Sequence, residues 1–143
     1  MKKDNYSCLK LSNQMCFPLY AASKEIINRY KPILEKVGLT YTQYISMLVL
    51  WEHKSISVRD MGRILYLDSG TLTPLLKKLE KKGLIERKRD TLDERILNVT
   101  LTDDGIALRD KAIDVPTKIA CSIDLTDEEI YSLYKILNKI LKQ

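Results

Sequence analysis

The sequence predicts a mainly α-helical protein with a small β-hairpin, and three observations lead to this fold class. Apolar residues recur at the spacing of a helix over most of the 143 residues. Two short segments of alternating apolar and polar residues, at 84–89 and 96–101, predict a pair of strands. A chain of this length can also bury a core without disulfides or metals, so we expect one domain spanning residues 1–143.

The first part of the chain predicts two long helices. Residues 13–36 carry a broad apolar face and predict the first helix. Pro18 lies near its start, where proline is tolerated because the first amides of a helix have no partner within it. Thr40 and Gln43 have the spacing of a capping box, which opens a second helix at about 41–52. The nearly continuous apolar interior of this second helix predicts a place in the core.

The middle of the chain predicts a short helix at 57–65 and a second helix at 68–82, which Gly83 ends. One stripe of the second helix is apolar and should be buried: Leu72, Leu75, Leu76 and Leu79. Ser57 should cap the short helix, and either Asp68 or Ser69 should cap the second. Two helices followed by the hairpin form a winged helix-turn-helix. In that arrangement the second helix enters the major groove of DNA and the hairpin forms a wing.

The last part of the chain predicts a helix from its cap, Thr102, to about residue 121, with a break or kink at Pro116. Residues 126–129 form another capping box, which opens a final helix. One stripe of that helix is strongly apolar: Leu133, Ile136, Leu137, Ile140 and Leu141. Such a helix must be covered, either by the core of its own chain or by the same helix of a second subunit. Symmetric dimers are the commonest solution.

The charge of the chain favours a polyanionic partner. The formal net charge is +5, and seven basic residues lie between Lys77 and Arg89, against two acidic ones. Such a run is often only the solvated face of a helix, but here it is continuous with the predicted wing. Candidate contacts to double-stranded DNA on the second helix are Ser69, Thr71, Thr73, Lys77 and Lys78. Candidates in the wing are Arg87, Lys88, Arg89 and Arg95, with Asp93 holding Arg95 in a bidentate pair.

The sequence also disfavours several classes of protein. No apolar run approaches the ~18 residues that a membrane span needs, and the polar N-terminus has no signal-peptide core. We therefore expect a cytoplasmic location and no membrane partner. Cys8, Cys16 and Cys121 form no CxxC pair, and the single histidine, His53, leaves no zinc pattern. We expect neither a metal nor another cofactor.

Two parts of the sequence resemble a known family. The segment DSGTLTPLLKKLEKKGLI, with DER after it, resembles the MarR family of winged-helix repressors. The segments NQMCFPLYAASKEI and LTYTQYISMLVLWEH resemble the OhrR branch of that family, which senses organic hydroperoxides. The resemblance extends from about residue 13 to the last helix. It implies an obligate homodimer joined through the helices of about 13–36 and 103–143. It also implies a DNA-binding lobe at about 41–101 that binds a pseudo-palindromic operator.

Cys16 is the candidate reactive thiol. A thiolate attacks a peroxide O–O bond, and the free amides at a helix start favour the anion of a cysteine there. The alternative is a buried structural cysteine. Tyr30 lies fourteen residues later, about 21 Å along one helix, so any contact with Cys16 should come from a second subunit. The resemblance implies that Tyr30 and Tyr41 donate hydrogen bonds to the sulfur from the partner chain. Tyr20 could line the same pocket; for all three, a packed aromatic is the alternative.

Cys121 decides how an oxidised Cys16 would be resolved. A sulfenic acid can condense with a second thiol to form a disulfide. In the two-cysteine OhrR-like repressors a resolving cysteine follows the helix after the wing, and the resemblance assigns that role to Cys121. Cys8 and a small cellular thiol are competing resolvers. One departure from the family pattern is Pro18, where an ordinary apolar residue is expected, and it could shift the start of the helix.

These features predict a repressor that releases DNA when an organic hydroperoxide oxidises Cys16, and not an enzyme. One alternative is a MarR-type repressor that binds a small aromatic or phenolic ligand and has a non-redox cysteine. A thiol peroxidase is a second alternative. The sequence disfavours it because Asn13 stands where the peroxiredoxin pattern requires threonine or serine. The apolar neighbours Phe17 and Leu19 favour a hydrophobic peroxide as the inducer.

Overall fold

The computed structural model describes residues 6–141, and the ends of the expected domain, residues 1–5 and 142–143, lie outside these described residues. Two 3₁₀ turns, Ser7–Leu9 and Leu11–Asn13, precede the first α-helix. Seven α-helices follow in the described residues: α1 Cys16–Glu35, α2 Tyr41–His53, α3 Val58–Leu65, α4 Ser69–Lys81, α5 Asp103–Ala112, α6 Val115–Ala120 and α7 Asp127–Leu141. None of these helices is both long and apolar enough to cross a membrane. Three strands lie between them: β1 Ser55–Ser57, β2 Ile85–Arg89 and β3 Leu97–Leu101.

The first helix begins later than predicted. The sequence predicts helix from residue 13, whereas α1 begins at Cys16, because the preceding residues fold into 3₁₀ turns. Side chains tie these turns together: Asn13 Nδ2 donates to the Ser7 carbonyl at 2.7 Å. Gln14 Nε2 donates to the Cys8 carbonyl at 2.6 Å. Pro18 is then the third residue of α1, within the first turn, where its missing N–H leaves no intrahelical bond unmade.

The predicted helix-turn-helix is present as α3 and α4. Ser57 caps α3, with its Oγ accepting a backbone hydrogen bond at 3.1 Å. Asp68, rather than Ser69, caps α4, with its Oδ1 accepting the Thr71 N–H at 2.9 Å. Gly83 follows α4 with a φ of 73°, a left-handed conformation that glycine adopts without a steric penalty. The predicted stripe of α4 is buried: Leu72, Leu75, Leu76 and Leu79.

The small sheet has one strand more than predicted. β2 and β3 pair antiparallel as the expected hairpin, and β1 adds to the other side of β3, giving the order β1-β3-β2. β1 has only three residues, too few for an alternating pattern, and it pairs Ile56 with the distant Val99. The second hairpin strand begins at Leu97 rather than residue 96, because the Ile96 N–H bonds to the Asp93 carbonyl within the turn, at 2.9 Å.

The helix predicted from residue 103 to about 121 is two helices. α5 ends at Ala112 and α6 begins at Val115, so the break precedes Pro116 instead of lying at it. A proline ring clashes with the helical carbonyl four residues earlier, which here belongs to Ala112, and it removes one backbone hydrogen bond, so a break before Pro116 is favoured. Pro116 itself lies in the first turn of α6, where proline is tolerated.

The final helix lies outside the core. The capping box predicted for α7 is present, since Thr126 N donates to Glu129 Oε2 at 2.8 Å and Glu129 N donates to Thr126 Oγ1 at 3.3 Å. No described residue of α7 is buried. Its exposed apolar side chains include Ile130, Leu133, Ile136, Ile140 and Leu141. The sequence predicts that α7 is covered either by the core of its own chain or by a second subunit. Within residues 6–141, the core of its own chain does not cover it.

Candidate functional site

The free face of α4 carries the residues expected to contact DNA. Ser69, Thr71, Lys77 and Lys78 are exposed, and Thr73 is half-buried. The Asp68 carboxylate accepts both the Thr71 backbone N–H, at 2.9 Å, and the Thr71 hydroxyl, at 3.0 Å. These bonds from Thr71 hold the pKa of the Asp68 carboxyl below its ordinary value. The start of α4 is therefore a fixed, capped turn.

The turn of the wing is organised by two aspartates. Asp93 accepts two bonds from the Arg95 guanidinium, at 3.0 and 3.2 Å, so the bidentate pair predicted from the sequence is confirmed. The bond from the Arg95 side chain is the main reason that the pKa of Asp93 lies below its ordinary value. Asp90 accepts the backbone N–H of Leu92 and Asn98 Nδ2, at 2.8 and 3.0 Å. The turn thus holds Arg95, whose side chain is 91% exposed, at the tip of the wing.

The other basic residues of the wing have partners within the chain. Arg87 donates from its guanidinium to Glu80 at 3.0 and 2.7 Å, and its side chain is only 17% exposed. Lys88 pairs with Glu86 at 2.7 Å. Arg89 donates to a turn carbonyl, that of Glu94, at 2.6 Å. Arg87 therefore joins the wing to α4, whereas Lys88 and Arg89 lie on the exposed surface of β2.

A groove between α3, the start of α4 and the wing contains basic residues that sequence reasoning missed. Its volume is about 1020 Å³, and its lining includes Arg59, Arg63, Ser69 and Arg95. Arg59 and Arg63 lie one helical turn apart and are both exposed. The i, i+4 spacing of these two arginines could have indicated a basic face of α3, but the prediction relied on the larger group of basic residues further along the chain. The groove adds two guanidinium groups to the basic surface.

Cys16 is the first residue of α1 and is exposed. The helix begins at this cysteine, three residues later than the sequence predicts, and the sulfur is attached where the backbone amides of the first turn lack intrahelical partners. The alternative, a buried structural cysteine, does not describe this chain. The apolar residues next to Cys16 in sequence are also exposed: Met15 is 81%, Phe17 41% and Leu19 42% exposed.

Three tyrosines form a cluster between α1 and α2. The ring centroid of Tyr30 lies 4.9 Å from that of Tyr41 and 5.9 Å from that of Tyr44. Burial raises the pKa of all three phenols, and the neighbouring phenols, including Tyr134 of α7, raise that of Tyr30 further. The phenols therefore stay protonated, as hydrogen-bond donors. Tyr44 was missed, although its position one turn after Tyr41 places both on one face of α2.

The cluster is remote from the cysteine of its own chain. Tyr30 and Cys16 are fourteen residues apart on the continuous helix α1, about 21 Å at 1.5 Å per residue. Tyr20, the third predicted tyrosine, is 60% exposed. Its hydroxyl accepts a hydrogen bond from Lys24 Nζ at 3.3 Å, and the same ammonium lies 5.2 Å from its ring centroid. Tyr20 thus lies on an exposed stretch of α1 near Cys16.

Cys121, the candidate resolving cysteine, follows α6 and is exposed. The Arg29 guanidinium donates to the carbonyl of Ser122, which places this segment beside the second half of α1. Arg29 lies thirteen residues beyond Cys16 along α1, about 20 Å at 1.5 Å per residue. A disulfide requires a Cα separation of about 6 Å. Cys16 and Cys121 of one chain are therefore too far apart to be joined in this conformation.

Comparison with known proteins identifies the family. Residues 28–112 match the family model described as transcriptional regulator SarA/Rot. The chain belongs to this family. Over 140 residues it is 46% identical to the organic hydroperoxide resistance transcriptional regulator of Bacillus subtilis (strain 168), and the match covers 98% of this chain and 95% of that protein. The resemblance to the OhrR branch that the sequence predicts is confirmed by this relative.

Solved structures of AbfR from Staphylococcus epidermidis are similar to this SarA/Rot-type regulator. Reduced AbfR bound to DNA has 36% sequence identity and a TM-score of 0.78, with 94% of each chain covered. Disulfide-formed AbfR also has 36% identity, but the TM-score is 0.67, with 94% of this chain and 91% of that one covered. The winged-helix fold is confirmed. The chain has a higher TM-score to reduced AbfR bound to DNA than to disulfide-formed AbfR.

The structure of this SarA/Rot-type regulator brings some of the predicted site residues together and separates others. Arg95 and Asp93 are paired at the wing tip, and Tyr30 and Tyr41 are packed against each other. Cys16 lies apart from both groups at the other end of α1. The basic surface and the tyrosine cluster are therefore complete within one chain, whereas a site that combined the cysteine with the tyrosines would need two chains.

Proposed function

We propose that this regulator is a DNA-binding transcriptional repressor that senses organic hydroperoxides through oxidation of Cys16 and then releases DNA. The observation that carries the proposal is the exposed cysteine at the first position of α1 in a winged-helix regulator. The Bacillus subtilis relative is named for organic hydroperoxide resistance, and AbfR has been solved both reduced on DNA and with a disulfide. The proposed sensor therefore has relatives that bind DNA and change redox state.

The same proposal includes a homodimer. α1 and α7 expose apolar side chains that need a cover, among them Leu19 and Ile27 of α1 and Leu133 and Ile136 of α7. The chain's own core leaves these faces uncovered, and a second copy is the simplest cover. Two antiparallel α1 helices would place Tyr30 and Tyr41 of one subunit beside Cys16 of the other. Each phenol could then donate a hydrogen bond to the reduced sulfur.

Such a dimer would bind a pseudo-palindromic operator. Its two α4 helices would enter successive major grooves, about one helical turn of DNA apart. Ser69, Thr71 and Thr73 would approach bases or phosphates, with Lys77 and Lys78 on the backbone. In the wing, Lys88, Arg89 and Arg95 would contact the flanking backbone or the minor groove. Asp93 would orient Arg95, and Arg87 would act through its pair with Glu80.

The chemistry of the switch balances in two steps. The Cys16 thiolate attacks the peroxide O–O bond, and one oxygen stays on sulfur as sulfenic acid while the other leaves as the alcohol. The Cys121 thiol then attacks the sulfenic sulfur, and a disulfide forms with loss of water. Because Cys121 lies beside the second half of α1, about 20 Å along that helix from Cys16, the disulfide would join two subunits. Cys8 or a small cellular thiol are the competing resolvers.

The test is DNA binding to the region upstream of the protein's own gene, measured by fluorescence anisotropy. We expect tight binding by reduced protein, loss of binding after an organic hydroperoxide, and recovery after dithiothreitol. Cys16→Ser should bind the same DNA and ignore the peroxide. If Cys16→Ser responded like the wild type, the redox proposal would be wrong. Release of DNA by a small phenolic compound would then support the alternative ligand-sensing repressor.

A further inference from the structure

We propose that Lys82 is a positioning residue that couples the tyrosine cluster to the recognition helix α4. Its ammonium group binds the turn between α1 and α2, next to Tyr41, while its backbone belongs to the end of α4. The inference rests on the redox switch proposed above and assigns one route by which the state of Cys16 reaches the DNA-binding surface. We call the two hydrogen bonds of this ammonium the Lys82 link.

The first bond of the link goes to the buried Gln43 side chain. Gln43 is 4% exposed, and its Oε1 accepts both the Thr40 N–H, at 3.1 Å, and Lys82 Nζ, at 3.2 Å. The Gln43 N–H in turn bonds to Thr40 Oγ1 at 3.4 Å. The atom that closes the capping box of α2 is thus the same atom that holds Lys82. A change in the first turn of α2 must alter both interactions.

The second bond of the link goes to the carbonyl of Gly38. Gly38 has a φ of 71° and lies in the turn that connects α1 to α2. Leu39, directly after it, is 4% exposed and donates its N–H to the Leu34 carbonyl at 3.1 Å, which fixes the turn to the end of α1. The two hydrogen bonds of Lys82 therefore depend on the position of α1 relative to α2 and not on either helix alone.

The sensor side of the link is immediately adjacent. Tyr41 is the first residue of α2, between Thr40 and Gln43 in sequence, and its ring packs 4.9 Å from that of Tyr30 on α1. Loss of a hydrogen bond from Tyr30 or Tyr41 to the oxidised Cys16 would free these phenols to move. Any such movement acts on the first turn of α2, where the Lys82 link is made.

The DNA side of the link is equally direct. The Lys82 N–H donates to the Lys78 carbonyl at 3.1 Å, as the last bond of α4. The opposite end of the same helix carries Ser69 and Thr71, which are proposed to contact DNA. Because α4 is one continuous helix from Ser69 to Lys81, a shift at its last turn can be carried to its first turn. The chain that carries the link has higher TM-scores to DNA-bound AbfR than to the disulfide form, so the link should favour the DNA-binding state.

The neighbouring Lys81 provides a matched control. It has the same side chain and charge and lies in the same last turn, and its ammonium group has no hydrogen bond or ion pair within residues 6–141. The experiment compares Lys82→Met with Lys81→Met, since methionine keeps the apolar stem and removes the ammonium. The quantity measured is the switching ratio, which is the operator Kd after organic hydroperoxide divided by the Kd of reduced protein.

We expect Lys82→Met to lower the switching ratio about threefold or more, by weakening the reduced state selectively. Lys81→Met should leave the ratio unchanged, even if it weakens both states through a lost phosphate contact. Gln43→Met, which removes the acceptor far from DNA, should lower the ratio like Lys82→Met. The double variant should lower it no further than either single change. If Lys82→Met fails to fold, Lys82→Gln takes its place, because Gln43→Met also removes the capping box of α2 and does not test the link alone.

Two results separate this inference from the function on which it rests. If the wild type shows a switching ratio of one, the redox proposal itself fails. If the wild type switches and both Lys82→Met and Gln43→Met keep its ratio, the link is only structural and the inference is overturned. Equal weakening of the reduced and oxidised states, with a lower thermal midpoint, would likewise overturn it.

Discussion

Arg87 of the wing and Glu80 of α4 form an ion pair in which two guanidinium nitrogens donate to the same carboxylate oxygen, Oε2, at 3.0 and 2.7 Å. The Arg87 backbone N–H also donates to the same carboxylate, at 3.1 Å. The hydrogen bond from the Arg87 side chain is the main reason that the pKa of Glu80 lies below its ordinary value. The pair therefore sets the position of β2 relative to α4, and the most central arginine of the basic run has an internal partner.

This relationship predicts different roles for two arginines of the wing. Replacing Arg95 by methionine should reduce the slope of log K against log salt concentration by about 1, because it removes one exposed phosphate-binding cation. Arg87→Met should leave that slope unchanged, since the Arg87 side chain is only 17% exposed and packs on Glu80, whereas the side chain of Arg95 is 91% exposed. Operator binding titrated at several salt concentrations measures both slopes. An equal loss of slope in the two variants would show that Arg87 contacts the DNA directly.

Much of the fold could be predicted because its determinants are local. The capping box at Thr40 and Gln43, the cap at Thr102 and the pair of Asp93 with Arg95 each involve residues two or three positions apart. Short-range geometry alone makes such interactions favourable, so the sequence carries them. The buried leucine stripe of α4 could be predicted equally well, because helical spacing decides which residues share one side of the helix.

The features that the sequence did not predict depend on distant contacts. β1 exists because Ile56 pairs with Val99, more than forty residues away. Tyr44 belongs to the tyrosine cluster because α1 brings Tyr30 against α2, and the partner of Arg87 is decided by where the wing packs on α4. None of these contacts is determined by the spacing of residues within one helix or strand. The dimer that would complete the cysteine site is a step further, since it depends on a second chain.

The tyrosine cluster predicts a stability change at alkaline pH. The phenols of Tyr30, Tyr41 and Tyr44 have pKa values raised by burial, so the folded protein binds these protons more tightly than the unfolded chain does. The resulting stabilisation is complete below the ordinary phenol pKa of about 10 and is lost as pH rises through the folded values. Denaturant midpoints measured across this range should fall, and the fall should be smaller in Tyr30→Phe. An equally large fall of the denaturant midpoint in Tyr30→Phe would contradict the assignment.

The position of Cys121 predicts the form of the oxidised protein. Treatment with an organic hydroperoxide should give a covalent dimer on a non-reducing gel, because Cys16 and Cys121 of one chain lie too far apart to pair. Cys121→Ser should abolish the dimer band and leave Cys16 as sulfenic acid, which a dimedone-type reagent detects. Cys8→Ser is the matched control and should keep the band. Loss of the band in Cys8→Ser alone would make Cys8 the resolving cysteine.

The exposed stripe of α7 predicts where the dimer can be broken. Leu133 is 41% exposed in the single chain and lies on the apolar stripe, so Leu133→Glu would bury a carboxylate in the proposed interface and should shift the protein towards monomer. Lys135→Glu, on the opposite face of the same helix, should leave the dimer intact. Sedimentation velocity at equal protein concentrations measures both. A monomeric Lys135→Glu, with Leu133→Glu dimeric, would place the interface on the other face of α7.

Gly105 shows where a steric requirement outweighs helix propensity. An ideal Cβ at this position of α5 would lie 2.0 Å from the Leu84 carbonyl oxygen, which already accepts the Thr102 N–H at 3.2 Å and cannot move aside freely. Alanine is favoured over glycine within a helix by about 1 kcal/mol, whereas overpacking against fixed atoms costs about 1–3 kcal/mol. We therefore expect Gly105→Ala to lower the free energy of unfolding in urea by about 1–2 kcal/mol.

The control for this prediction is Gly70→Ala, a second helical glycine. Its added Cβ would meet only the Asp68 Oδ1 atom, at 2.9 Å, and this side-chain atom can shift by a few tenths of an ångström while the carboxylate keeps its bonds to Thr71. The change in unfolding free energy should therefore be within about 1 kcal/mol of zero, because the gain in helix propensity offsets a small shift of the cap. Both variants are measured at one protein concentration, since subunit association contributes to apparent stability. A Gly105→Ala protein as stable as Gly70→Ala would mean that α5 can move away from the Leu84 carbonyl.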